Sequence, residues 1–123
     1  MASTTPMNLQ YVSLDLETTG LHANSDKIIE IGAIKCSYDS VIDEYQTLID
    51  PKRPIPELIQ NLTGISEQDV KFKPTIEQVI PELKSFIGDL PIVGQNIQFD
   101  LRFLSQNNAE FIQENYDTWE LAT

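Results

Sequence analysis

From Gln10 to Glu17 the chain alternates with period two, placing Val12, Leu14 and Leu16 on one side and Tyr11, Ser13, Asp15 and Glu17 on the other. Such a run packs as a strand with one buried face, and a one-residue slip would drive both carboxylates into the core. The strand ends at Thr18-Thr19-Gly20, so Asp15 and Glu17 project from one face beside a turn. Two further β-rich runs, 27–37 and 41–49, are separated only by Tyr38-Asp39-Ser40, which predicts a hairpin and an opening antiparallel three-stranded meander.

The pattern then changes. Asp50-Pro51, Pro54 and Pro56 interrupt regular structure, Glu57 to Leu62 forms a short helix stopped by Gly64, and Ser66 caps another turn. Thr75 to Ile87 is the clearest helix: Ile76, Val79, Ile80, Leu83, Phe86 and Ile87 make one apolar stripe. Thr75 with Gln78 fits a capping box, Gly88 follows the end, and Pro81 predicts a kink. Leu90 to Gly94 reads as a buried strand parallel to the first, with that helix as crossover. Asn96 then caps a helix that turns Phe99, Phe103 and Leu104 inward and ends at Asn107-Asn108. Tyr116 to Thr123 reads as a short element starting at Asp117-Thr118, with no terminating cap before the sequence stops. The fold class is α/β; residues 1–8 read as a disordered tail or an added remnant, and 9–123 as one domain.

Charge narrows the function. Eight Lys and Arg against nineteen Asp and Glu leave a net charge of −11 over 123 residues, which disfavours a long-range electrostatic grip on nucleic acid or an anionic membrane. No apolar run approaches the roughly 18 residues of a membrane span, and no secretory pattern opens the chain, so it reads as soluble and cytoplasmic. Cys36, the single cysteine, cannot form an intramolecular disulfide and reads as a buried structural thiol.

Each acid has two readings. Asp15 and Glu17 are either a solvated strand face or, at a strand end beside a glycine turn, a cation site for which oxygen donors suit Mg²⁺ or Mn²⁺. Asp100 is either a favourable acid in a helix's first turn or a third carboxylate delivered to the same edge. Glu30, inside KIIEIGAI, reads as structural, and His22 as a surface-loop histidine rather than a general base. Thr63-Gly64-Ile65 either ends a helix or places an amide and an apolar side chain near a ligand.

Taken together, Asp15-Leu16-Glu17-Thr18-Thr19-Gly20, KIIEIGAIK, Leu62-Thr63-Gly64-Ile65-Ser66 and Asn96-Ile97-Gln98-Phe99-Asp100 resemble the DEDD-type 3′→5′ exonucleases of the DEDDh, DnaQ-like group. The likeness is to the proofreading epsilon subunit of bacterial DNA polymerase III and to DinG-type exonuclease domains, in the family's order from about Leu9 onward. It implies a ribonuclease H-like mixed sheet with its first strand central. It also implies Asp15, Glu17 and Asp100 as catalytic metal ligands, with two Mg²⁺ or Mn²⁺ ions roughly 3.5–4 Å apart in a complete site. Thr18, Thr19, Gly20, Thr63, Gly64, Ile65, Asn96 and Phe99 would contact the terminal nucleotides.

Members of the family also carry, downstream of the second motif, a histidine base and a fourth acidic ligand. His22 lies upstream of the second motif, on the wrong side to be that histidine, and Asp117 and Glu120 fall in the family's Asp-Thr stretch, so none of the three stands in for these groups. The resemblance therefore describes a C-terminally truncated domain lacking the third motif, inactive or weak by itself, whose exposed apolar surface makes self-association an expectation. Two divalent ions would bring the charge only to −7, so the substrate, a single-stranded or frayed DNA 3′ end, would be delivered by a polymerase or helicase partner or parent chain. An RNA-directed 3′ exonuclease and a non-catalytic interaction module are the alternatives.

Overall fold

In the computed structural model, which describes residues 9–38 and 40–118, five strands form one mixed sheet in the order β3-β2-β1-β4-β5. β1 (Gln10–Thr18), β2 (Ile28–Ser37) and β3 (Ser40–Leu48) are the expected antiparallel meander, and β1 is central. β4 (Ile92–Gly94) runs parallel to β1 through Val12↔Ile92 and Ser13↔Val93, and β5 (Asn115–Asp117) runs parallel to β4. This is the ribonuclease H-like architecture. The expected tail at 1–8, Asp39 and Glu120 lie outside the described residues.

The helices follow from local chemistry. α1 (Glu57–Thr63) ends at Gly64, whose φ of 77° is the left-handed conformation that glycine adopts without a Cβ clash. α2 (Glu67–Val70) begins with a capping box between Ser66 and Asp69, and α3 (Ile76–Ile87) with one between Thr75 and Gln78. Pro81 lies inside α3 without ending it. α4 (Ile97–Gln106) carries Ile97, Asp100, Phe103 and Leu104 as buried residues.

The main core joins Val12, Leu14 and Leu16 of β1 to Ile31 and Ala33 of β2, Val79, Leu83 and Ile87 of α3, and Phe103 and Leu104 of α4. A register shift between Glu17 and Thr18 sets Thr18 opposite Ile28, which joins that core, while Ile29 enters a second cluster with Ile55, Ile65 and Val70. Cys36 is buried, as expected.

Two expectations are corrected. Asn96 caps α4 without a side-chain hydrogen bond: it takes φ 54° and ψ 48°, a left-handed turn that asparagine tolerates, and its backbone N–H donates to Asp117 Oδ1 at 3.1 Å. The C-terminal element starts earlier than read, because Asn115–Asp117 is a strand. Two of its three residues, Asn115 and Asp117, are disfavoured in strands, so it is pairing with β4 that makes it one.

Gly94 lets the central strands approach. A Cβ there would stand 2.7 Å from the Leu14 carbonyl oxygen and 2.8 Å from Ile97 Cδ1, and the first of these is backbone. Gly94→Ala should therefore destabilise the domain by about 1–3 kcal/mol, read from the urea midpoint. Leu83→Ala, at a fully buried position in α3, should cost about 2–5 kcal/mol in the same assay.

Candidate active site

β4 ends at Gly94 while β1 continues to Thr18, so β1 runs past its parallel neighbour and leaves a recess at the carboxyl ends of both strands. The chain leaves β4, makes the left-handed turn at Asn96 and enters α4, bringing Asp100 to this recess in the helix's first turn. The result is a cleft of about 600 Å³ lined by Asp15, Leu16, Gln95, Asn96, Phe99, Asp100 and Asp117. Phe99 is braced by Phe103, their ring centroids 4.9 Å apart.

Electrostatics makes this place distinctive. Asp100 is only 5% exposed, and burial together with the charges of Asp15 and Glu17 raises its pKa to about 8, against the pull of a backbone hydrogen bond at Leu16. The Asp15 carboxyl is raised by partial burial and by Glu30, again opposed by a backbone hydrogen bond at Leu16. Glu17 is raised by partial burial, Asp15 and Glu30. Among the described residues the one ion pair is Lys52 with Asp50, so no Lys or Arg neutralises this cluster.

The donors suit a hard divalent cation: all are carboxylate oxygens, and their mutual repulsion is what such an ion removes. They are not drawn into a closed cage, since among the described residues no three Asp, Glu, His or Cys side chains converge tightly enough to hold a metal as they stand. Asp15 and Asp100 share the cleft, while Glu17 acts on Asp100 from the strand end.

The other predicted residues separate into groups. Asn96 and Phe99 line the cleft. Thr18 donates its hydroxyl to the Gly20 carbonyl at 2.6 Å. Thr19 is buried and committed to the turn: its hydroxyl donates to Asp26 Oδ1 at 3.3 Å and accepts the Lys27 N–H at 2.9 Å. A Cβ on Gly20 would lie 2.6 Å from Asp26 Cγ, so this glycine makes room for the carboxylate that closes the turn. Thr63, Gly64 and Ile65 lie outside the cleft lining; Thr63 Oγ1 donates to Ile59 O and accepts the Ile65 N–H, and Ile65 belongs to the second core cluster.

His22 is exposed in the β1–β2 connection, donating its backbone N–H to Asp26 Oδ2 at 2.9 Å, away from the cleft. Glu30 stands opposite Glu17 across β1 and β2 and accepts from Gln46 Nε2 at 2.9 Å, a structural contact that also adds negative charge to the cluster. Reading the sequence missed three contributors: Asp26, which fixes the turn, and Gln95 and Asp117, which line the cleft. Asp117 would have been found by recognising Asn115–Asp117 as a strand parallel to β4, whose end must then reach the same edge.

Comparison with known proteins agrees with this arrangement. The Exonuclease family profile matches residues 12–122. The PolC-type DNA polymerase III of Clostridium perfringens is 42% identical over 98 residues, covering 80% of this chain and 7% of that protein. Its counterpart in Thermotoga maritima is 47% identical over 94 residues, 76% of this chain and again 7% of the relative. The chain thus spans a small fraction of these polymerases. Exonuclease X, solved in complex with 5′ overhanging duplex DNA, superposes with a TM-score of 0.75 at 31% identity, covering 91% of this chain and 61% of that one. E. coli exonuclease I, solved with a dA16 oligonucleotide, shares the fold at TM-score 0.80 and 18% identity, over 94% of this chain and 29% of that one. Among the described residues no helix is long and apolar enough to cross a membrane. By sequence match and by fold, the chain belongs to the exonuclease family.

Proposed function

We propose that this domain is a metal-dependent 3′→5′ exonuclease that removes nucleotides from DNA 3′ ends in the setting of a DNA polymerase, as a proofreading or repair activity. The observation that carries the proposal is the meeting of Asp15 and Asp100, from β1 and α4, across one cleft with Glu17 adjacent and no basic residue paired to them. The PolC-type relatives support the polymerase setting, and the exonuclease X complex supports DNA as the substrate class.

In this reading Asp15, Glu17 and Asp100 hold Mg²⁺ or Mn²⁺. Bound there, such a cation would supply Lewis-acid polarisation of the scissile phosphate and activation of water. The protein's own part is to supply compensating negative charge, to offer the Phe99 ring as an apolar wall for the terminal nucleotide, and to present polar groups of Gln95 and Asn96 to the strand. Thr18, Gly20 and the Thr63–Ile65 segment shape the approach, and Thr19 acts through the turn it locks. Among the described residues no imidazole lines the cleft, and this reading therefore expects slow hydrolysis by this chain alone. With a net charge of −11, the domain depends on a polymerase partner or parent chain for substrate delivery.

Incubation of the chain with Mn²⁺ and matched oligonucleotides tests this. Release of label from the 3′ end of single-stranded DNA, faster than from RNA, is expected. Asp15→Ala or Asp100→Ala should lower it by more than the ~10–100-fold that outer-shell changes around metals cost. Metal-independent release, release from the 5′ end, or unchanged rates in both variants would contradict the proposal.

The charge cluster also predicts a pH dependence in chelator. Unfolded Asp100 loses its proton near the ordinary aspartate value of about 3.9, whereas the folded form keeps it to about 8. The folded state binds more protons over that window, so stability falls as pH rises through it and levels off above. Asp100→Asn should remove this part of the slope and be more stable than the parent at pH 8, with the gap narrowing towards pH 5. Parallel urea-midpoint profiles would contradict the assigned burial of charge.

A further inference from the structure

The helix carrying Asp100 is held at its first turn by β5. Asp117 Oδ1 accepts the backbone N–H of Asn96 at 3.1 Å, and Asn115 Oδ1 accepts from Gln98 Nε2 at 2.8 Å. Asn115 and Asp117 are two apart on a strand, so both side chains leave the same face, towards α4, while Tyr116 between them turns away and donates its hydroxyl to Glu114 Oε1. β5 is itself fixed along β4 by the pairs Ile92↔Asn115, Val93↔Tyr116 and Gly94↔Asp117.

The residue caught by Asp117 is the one that makes the turn into α4. Asn96 occupies the left-handed region at φ 54°, which asparagine adopts more readily than most residues and which surrounding contacts hold in place. Its conformation sets where α4 begins, and Asp100 lies four residues on. A short chain of contacts therefore runs from Asp117 through the Asn96 turn to the Asp100 carboxyl.

We infer that Asn115 and Asp117 are positioning residues, a two-point clamp from β5 on the first turn of α4 that sets Asp100 in the cleft through hydrogen-bond acceptance at Asn96 and Gln98. The consequence for metal binding rests on the reading of Asp15, Glu17 and Asp100 given under the proposed function. The clamp itself does not.

Hydrogen exchange at the Asn96 amide separates the two. The wild-type chain and Asp117→Asn, whose side-chain oxygen still accepts, should protect this amide. In Asp117→Ala its exchange should speed up by at least about tenfold, with protection of the β1 and β2 amides unchanged. Equal protection in Asp117→Ala and wild type overturns the clamp, whatever the metal results.

Mn²⁺ titration of the same proteins then tests the consequence. Asp117→Ala should bind about tenfold more weakly, with kcat on a 3′-labelled oligonucleotide falling and KM moving less than twofold. Asn115→Ala should show a smaller loss, and Asp117→Asn should remain near wild type. If Asp117→Asn is as impaired as Asp117→Ala, the carboxylate charge rather than the hydrogen bond matters and the positioning role fails. If Asp15→Ala binds Mn²⁺ as well as wild type, the metal reading fails, and the exchange result still decides the clamp.

Discussion

Like charges repel hardest where water is scarce, and the end of β1 concentrates them. Asp15 and Glu17 leave the central strand on one face, Glu30 faces Glu17 from the neighbouring strand, and Asp100 arrives from α4 with only 5% of its surface exposed. Burial and mutual repulsion push the protons of Asp15, Glu17 and Asp100 to be held more tightly. A fold that tolerates such an arrangement gives up stability locally, and a divalent cation is the chemical species that would return it.

The rest of the structure keeps that edge in place. The parallel pairing of β1 with β4 fixes the relative height of Asp15 and the turn into α4, and Gly94 allows the approach. On the other side of β1, the turn after Glu17 is locked by Thr19, Asp26 and Lys27 through side-chain and backbone hydrogen bonds. The apolar stripe of α3 supplies the core against which the sheet is rigid, so the carboxylates ride on strands and a helix rather than on free loops.

Much of this was legible in the residues. The period-two alternation in β1, the capping box at Thr75, the glycine after α1 and the parallel placement of β4 each have a local cause that sequence displays. Asp15 is visible as a candidate because it sits near a strand end beside a glycine turn, and Asp100 because it falls in the first turn of a helix that follows a strand parallel to β1. What escaped was set by tertiary pairing: β5 is a strand only because β4 offers it an edge, so Asp117 did not appear as a cleft residue. Asn96 has the composition of a side-chain cap, yet its backbone takes the left-handed turn and its N–H is claimed by Asp117. Thr19 and Gly20 looked like groups facing a ligand, whereas the structure shows one bonded to Asp26 and the other spaced for it; the partner lies seven residues from Thr19, beyond any short motif.

The central claim is that a cation belongs between β1 and α4. Its most direct test is anomalous scattering from crystals of this chain soaked in Mn²⁺. The account predicts a peak bounded by the carboxylates of Asp15 and Asp100, with Glu17 turned towards it, and its disappearance in Asp15→Ala. Peaks confined to other surfaces at saturating Mn²⁺, with this cleft vacant, would contradict it.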